Sequence, residues 1–258
     1  MFDAVQGIRY GYILCGIIWA VALGFAVGNY ACSLVHRLPR GRLILDQKPY
    51  CGSCGTQLHE VWDLIPVVSA LMLHHRCRYC GEPFPVSHTW TELLVGLLFA
   101  LTFLAHGFGQ EFLLIAGLGV FLIVLAAIQA NEGIIMGKIV LCITVFGMLY
   151  RTLADHTIFN FFEGGFIALA IGAILWHRQI KPVGHIYTIP EPVKLLTVGG
   201  ICAGQSGLPM FFLLFLTFYG MDQRFRRLGR STKSPLITVA FGFAVMLPLL
   251  YPKLVLPL

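Results

Sequence analysis

Long apolar runs dominate the chain and leave it few folds to choose from. Between Leu93 and Ala105 the sequence LLVGLLFALTFLA holds no charged residue. A helix needs about 20 mostly apolar residues to cross a bilayer core, and there every backbone N–H and C=O must be satisfied within its own segment. Eight such runs are legible, at 11–35, 90–106, 111–130, 134–151, 159–177, 192–204, 207–221 and 235–251. The sixth is short and Gly-rich, which predicts a broken or partly re-entrant helix. Of the 258 residues, 57% are hydrophobic and only 12% charged, which excludes an ordinary soluble enzyme and a disordered chain alike. The expected fold class is an all-α integral membrane protein, a bundle of about eight transmembrane helices. Few charges and no polar stripe fall inside the runs, which argues against a conduction path.

The connecting segments set an expected orientation. Six lysines and arginines lie between residues 36 and 89, two follow the fifth run and five follow the seventh, all on one side. The opposite side holds three, Arg9, Arg151 and Lys253. Positive charge collects on the cytoplasmic side, so the 36–89 segment is expected in the cytoplasm. The formal net charge of +6 is explained by anionic membrane lipids facing these loops, and no nucleic-acid recognition motif is present. The sequence therefore divides into a first transmembrane helix (1–35), a polar loop (36–89) and a membrane helical bundle (90–258).

That loop carries Cys51-Gly-Ser-Cys54-Gly and Cys77-Arg-Tyr-Cys80-Gly, with 22 residues between the pairs. Cys-x-x-Cys followed by Gly suits a zinc knuckle: two intervening residues let both thiols reach one ion, and Gly permits the tight turn behind them. Four thiolates close a tetrahedral shell with no place for water, so Zn2+ bound by Cys51, Cys54, Cys77 and Cys80 is expected to be structural. Two disulfides or four free thiols are the alternatives, and a reducing cytoplasm disfavours the disulfides. Cys15, Cys32, Cys142 and Cys202 stand singly in the apolar runs and read as small core residues.

Gly24-Phe25-Ala26-Val27-Gly28-Asn29, His36-Arg37-Leu38-Pro39-Arg40-Gly41, the first Cys pair, Trp62-Asp63-Leu64-Ile65-Pro66, the second Cys pair and Thr91-Glu92-Leu93-Leu94 occur in the order seen in bacterial prepilin peptidases. The match is dense over residues 24–98 and resembles that family from the first helix into the second. The resemblance implies about eight helices in the inner membrane, serving a type IV pilus or secretion-type machine. It also implies cleavage of a prepilin leader after a Gly, followed by S-adenosylmethionine-dependent N-methylation. Cleavage in that family uses two aspartates from separate helices, a dyad that shares a proton because two like charges cannot both ionise cheaply.

Both aspartates are missing here. Gln129, in Ile128-Gln129-Ala130-Asn131-Glu132-Gly133, stands where the first belongs, and an amide cannot serve as a general base. Pro192, in Ile189-Pro190-Glu191-Pro192-Val193-Lys194, stands where the Gly-x-Gly-Asp-x-Lys motif places the second. Glu132 and Glu191 are the weak substitutes, and a dyad misplaced by a few ångströms loses most of its rate. Lys194, near the start of a membrane run, has Glu191 as its natural partner. Glu92 reads as a helix-start carboxylate favoured by the helix dipole. The resulting expectation is a prepilin-peptidase-like protein without peptidase activity, a structural or pilin-binding component whose partners are pilin-like or secretion-system subunits. The alternative is an active leader peptidase/N-methyltransferase using the displaced carboxylates Glu132 and Glu191.

Overall fold

The computed structural model describes residues 2–41, 54, 56, 76–77, 79–82, 86–155, 159–177, 181–183, 186–188, 191–227 and 236–250. The chain divides into two compact units, Met1–Gly107 and Phe108–Leu258.

In the first unit, α1 (Phe2–Arg37) ends in a short 3-10 turn, Leu38–Arg40, and packs against α2 (Val86–His106). Small residues recur every fourth position on α1: Gly16, Ala20, Gly24, Gly28 and Cys32, all buried. A four-residue step keeps them on one helix face, and in hydrocarbon such a stripe lets two backbones approach closely. A Cβ on Gly24 would stand 2.8 Å from the Gly96 Cα, and one on Gly28 3.0 Å from the Glu92 Cα. The Phe103 ring fills the space beside Gly16. Thus α2 packs closely on α1. Glu92 is buried, and because α2 begins at Val86 it lies well inside the helix, in the α1–α2 seam. It is not the first-turn carboxylate expected from the sequence.

The second unit contains α3 (Gln110–Glu132), α4 (Gly137–Asp155), α5 (Phe159–Leu175), α6 (Glu191–Arg227) and α7 (Leu236–Leu250). Before α6, strands β1 (Lys181–Val183) and β2 (Ile186–Thr188) pair antiparallel, Lys181 opposite Thr188 and Val183 opposite Ile186. This small hairpin is a minor addition to an otherwise helical fold.

Helix α6 is two helices meeting at Gly204, whose φ of 63° and ψ of −178° lie outside the helical range and favour glycine. In a straight helix residues 199 and 211 would stand about 18 Å apart, yet the Phe211 ring lies where a Cβ on Gly199 would sit. The two halves therefore fold back on each other, and they correspond to the sixth and seventh apolar runs. The first half packs on α5, with Gly164 against Gly200, Ala168 against Gly200, and Gly172 against Val193 and Leu196. Along the second half Phe211, Phe215 and Tyr219 stack at four-residue steps, with ring centroids 5.7 and 6.3 Å apart. Phe241 of α7 meets Phe211 edge-on at 6.4 Å.

This is a helical membrane protein. Windows at Tyr10–Arg40, Thr89–His106 and Gln110–Glu132 are long and apolar enough to cross a bilayer. Large apolar side chains stay exposed all round the helices, among them Leu113, Phe166, Ile174 and Leu213, as expected where the solvent is lipid.

Candidate functional site

Two places carry chemistry, one in each unit. In the first unit the sulfur atoms of Cys54, Cys77 and Cys80 lie within 4.8 Å of one another. Cys51, the fourth expected ligand, lies outside the described residues. The second Cys turn is a knuckle: the Gly81 N–H donates to the Cys77 carbonyl at 2.8 Å, and the Cys77 N–H to the Glu82 carbonyl at 2.9 Å. Gly81 takes a φ of 71°, which closes this turn without Cβ strain. Cys77 is buried while Cys54 and Cys80 are exposed. Thiolates bound about 2.3 Å from one zinc ion stand roughly 3.8 Å from each other. The cluster therefore fits a metal ion, and its all-sulfur donors suit zinc chemically.

In the second unit the end of α3 meets the start of α7, while the start of α6 packs on the end of α5. Gln129 is buried near the end of α3, and its Oε1 accepts a hydrogen bond from the Thr238 hydroxyl of α7 at 2.5 Å. Gly133 closes α3, its N–H donating to the Gln129 carbonyl at 2.9 Å. Glu132 is exposed on the last turn of α3. Pro192 lies half-buried in the first turn of α6, where the missing N–H costs no helical bond. Glu191 and Lys194 are both exposed beside it. The fold thus holds Gln129 inside and leaves both candidate glutamates at the surface.

Asp222, which the sequence reading passed over, is wholly buried five residues before the end of α6. The turn before it holds Tyr219, whose hydroxyl accepts hydrogen bonds from Trp176 Nε1 and Gln223 Nε2, each at 3.0 Å. Trp176 follows α5, so the turn before Asp222 lies beside the end of α5. Its only sequence signal is an acid one turn inside an apolar helix, just before the basic run from Arg224.

The Gln129–Thr238 bond has a measurable worth. Thr238→Val leaves a buried amide oxygen without its donor, and hydrogen bonds between membrane helices contribute about 1 kcal/mol. Unfolding in a denaturing-detergent titration should show a loss of that size. Thr238→Val combined with Gln129→Leu should cost less than the two single losses added; simple additivity would mean that the bond contributes nothing.

The family model described as Bacterial Peptidase A24 N-terminal domain matches residues 22–106, a stretch inside the first compact unit that takes in all four loop cysteines. A prepilin leader peptidase/N-methyltransferase of Myxococcus xanthus is 32% identical over 202 residues, covering 78% of this chain and 56% of that protein. A protein of the same name from Burkholderia pseudomallei is 26% identical over 229 residues, covering 77% of this chain and 72% of the relative. One from Vibrio cholerae is 25% identical over 221 residues, covering 80% and 83%. The chain is thus similar to bacterial prepilin leader peptidases over most of its length, and to their N-terminal domain over residues 22–106. It spans little more than half the length of the Myxococcus relative, and no solved structure matches it.

Against the prepilin peptidase pattern, the stretch with matched motifs is the α1–α2 unit with its cysteine turns. In the second unit Gln129 and Pro192 are the residues expected from the sequence where that pattern has carboxylates. Glutamine can hold a carbonyl or hydroxyl by hydrogen bonding, and proline can begin a helix. Neither can exchange a proton with a water molecule.

Proposed function

We propose that this chain is an inner-membrane prepilin-peptidase-like protein that does not cut leaders. It serves as a structural or pilin-binding component of a type IV pilus or secretion-type machine. The observation that carries this reading is the burial of the Gln129 amide in a hydrogen bond with Thr238. Where the family mechanism needs a carboxylate that gains and loses a proton, this chain has a neutral group committed to helix packing. The surface positions of Glu132 and Glu191 weigh against a rebuilt dyad, which would need both carboxyls turned toward one water molecule. Among the described residues of the second unit the one buried acid, Asp222, does not make a pair.

In this reading the loop of 36–89 faces the cytoplasm and its four cysteines, Cys51 included, hold a structural zinc ion. With all four positions taken by sulfur, such an ion supplies folding stability and no hydrolytic chemistry. Lipids and the apolar helix of a pilin-like subunit are the partners, packed against helix faces rather than cut.

Processing of a co-expressed prepilin tests the reading directly. In cells lacking their own leader peptidase, the precursor should stay full length and its amino terminus unmethylated, with cleavage and methylation read separately by mass spectrometry. Glu132→Gln and Glu191→Gln should leave that result unchanged. A precursor trimmed by the purified chain would sink the proposal, and loss of trimming in either glutamine variant would name the acid responsible.

A further inference from the structure

The break in α6 poses a problem that hydrocarbon makes acute. The last carbonyls of a helix have no intrahelical partners and carry the negative end of its dipole. Inside a membrane protein such groups need a donor or a cation, and broken membrane helices commonly hold ions at their carbonyl ends. The first half of α6 ends this way, because the backbone of Gly204 (φ 63°, ψ −178°) turns out of the helix.

Arg151 of α4 meets these carbonyls. Its Nε donates to the Cys202 carbonyl at 2.8 Å, and its Nη2 donates to the Ala203 carbonyl. Its guanidinium carbon lies 3.0 Å from where a Cβ on Gly204 would stand, so the charge sits directly against the break. Arg151 is only 8% exposed. It is therefore not a side chain that reaches up to the membrane surface, as long cations near helix ends ordinarily do. The sequence placed it among three basic residues of the poorly charged side; the fold commits it to backbone carbonyls instead.

The helix that carries Arg151 is shaped for the task. Ile143, Gly147 and Arg151 follow at four-residue steps on one face of α4. The Cys202 sulfur lies where a Cβ on Gly147 would sit, and the Cys202 thiol is 3.9 Å from the Ile143 carbonyl. The close approach at Gly147 brings the guanidinium, one turn on, within reach of two successive carbonyls. The planar fork of arginine suits two neighbouring acceptors in a way that a single ammonium does not. The Tyr150 ring, its centroid 5.8 Å from the guanidinium carbon, adds a further favourable contact for the charge.

We infer that the break in α6 is a cation site filled from within. The Arg151 guanidinium occupies the carbonyl end of the first half-helix and locks the two halves in their folded-back form. The lock also ties α4 to α6, and so holds the half-helix whose far end carries Pro192. Cys202, wholly buried beside the guanidinium, reports on the lock because its thiol becomes reachable only when the hairpin loosens.

The test compares Arg151→Met, which keeps the bulk of the stem without the charge, with Arg151→Lys, which keeps the charge without the fork. The full chain in lipid nanodiscs is treated with a membrane-permeant maleimide, and labelling of Cys202 is resolved from the other cysteines by mass spectrometry. In the unaltered protein Cys202 should label slowly. Loss of a buried charge-assisted bond pair should speed labelling by about tenfold or more in Arg151→Met. Arg151→Lys should label faster than the unaltered chain but at least about threefold slower than Arg151→Met, since a charge still meets the carbonyls without spanning both. Failure of the Met variant alone to accumulate would agree with the lock. The two variants behaving alike, whether both protected, both labelled or both lost, would overturn it, as would the Lys variant being the worse.

Discussion

A Cys77→Ser chain will lose its metal. The unaltered protein, purified without chelator, should carry about one equivalent of zinc, the number that four thiolates around one ion hold. Of the proposed ligands, Cys77 has the most at stake. It is buried, and its backbone supplies both hydrogen bonds that shape the knuckle, one to Glu82 and one from Gly81. Changing even an outer-shell partner of a bound metal costs 10–100-fold in affinity, so removing a thiolate should cost at least about a hundredfold. Elemental analysis of the purified variant reads this directly. Cys202→Ser, which alters a sulfur in the other compact unit, should leave the metal content untouched. Because structural zinc contributes its binding energy to folding, the 36–89 segment should also become more sensitive to protease in Cys77→Ser. Full metal content in that variant would show that the three clustered sulfurs do not form the site.

Gly24→Leu should separate α1 from α2. A Cβ at this position would stand 2.8 Å from the Gly96 Cα and 3.0 Å from the Val95 carbonyl oxygen. Both are backbone atoms, so no side-chain rotation relieves the clash, and the helices must move apart along the small-residue stripe. Overpacking a tight contact costs about 1–3 kcal/mol and more where nothing can yield, and a leucine adds three more carbons beyond the first. The loss should reach about 3 kcal/mol or more by that reasoning, measured as the shift in a denaturing-detergent unfolding curve. Gly11→Leu, on the same helix with nothing within 4 Å of its added Cβ, should change little. Equal losses for the two variants would mean that helix propensity, not the seam, governs this hairpin.

Much of this could be read before any coordinates. The apolar runs at 90–106 and 111–130 lie within α2 and α3 nearly end to end, because hydrocarbon admits little else for such segments. The short Gly-rich run at 192–204 stops at the glycine where α6 turns back. The glycine after the second Cys-x-x-Cys pair predicted a knuckle turn, and Gly81 makes one with a positive φ. What escaped was of a different kind. Glu92, Arg151 and Asp222 are charged residues near or within apolar runs, and each reads locally as an interfacial side chain. Their burial depends on helices that pack from elsewhere in the chain: the Gly28 face of α1 for Glu92, and the end of the first half of α6 for Arg151.

By itself the sequence determined that the chain lies in a membrane as helices and where most of those helices begin and end, and it gave the expectation that Gln129 and Pro192 stand where carboxylates belong. These follow from composition and local chemistry, which hydrophobic length and residue type express directly. Only the tertiary structure decided that Gln129 is spent on Thr238, that Glu132 and Glu191 face outward, and that α2 joins α1 in the first unit. It also decided that a guanidinium fills the break in α6. Each of those outcomes depends on which helix faces which, and helices apolar on every side do not carry that information in their periodicity.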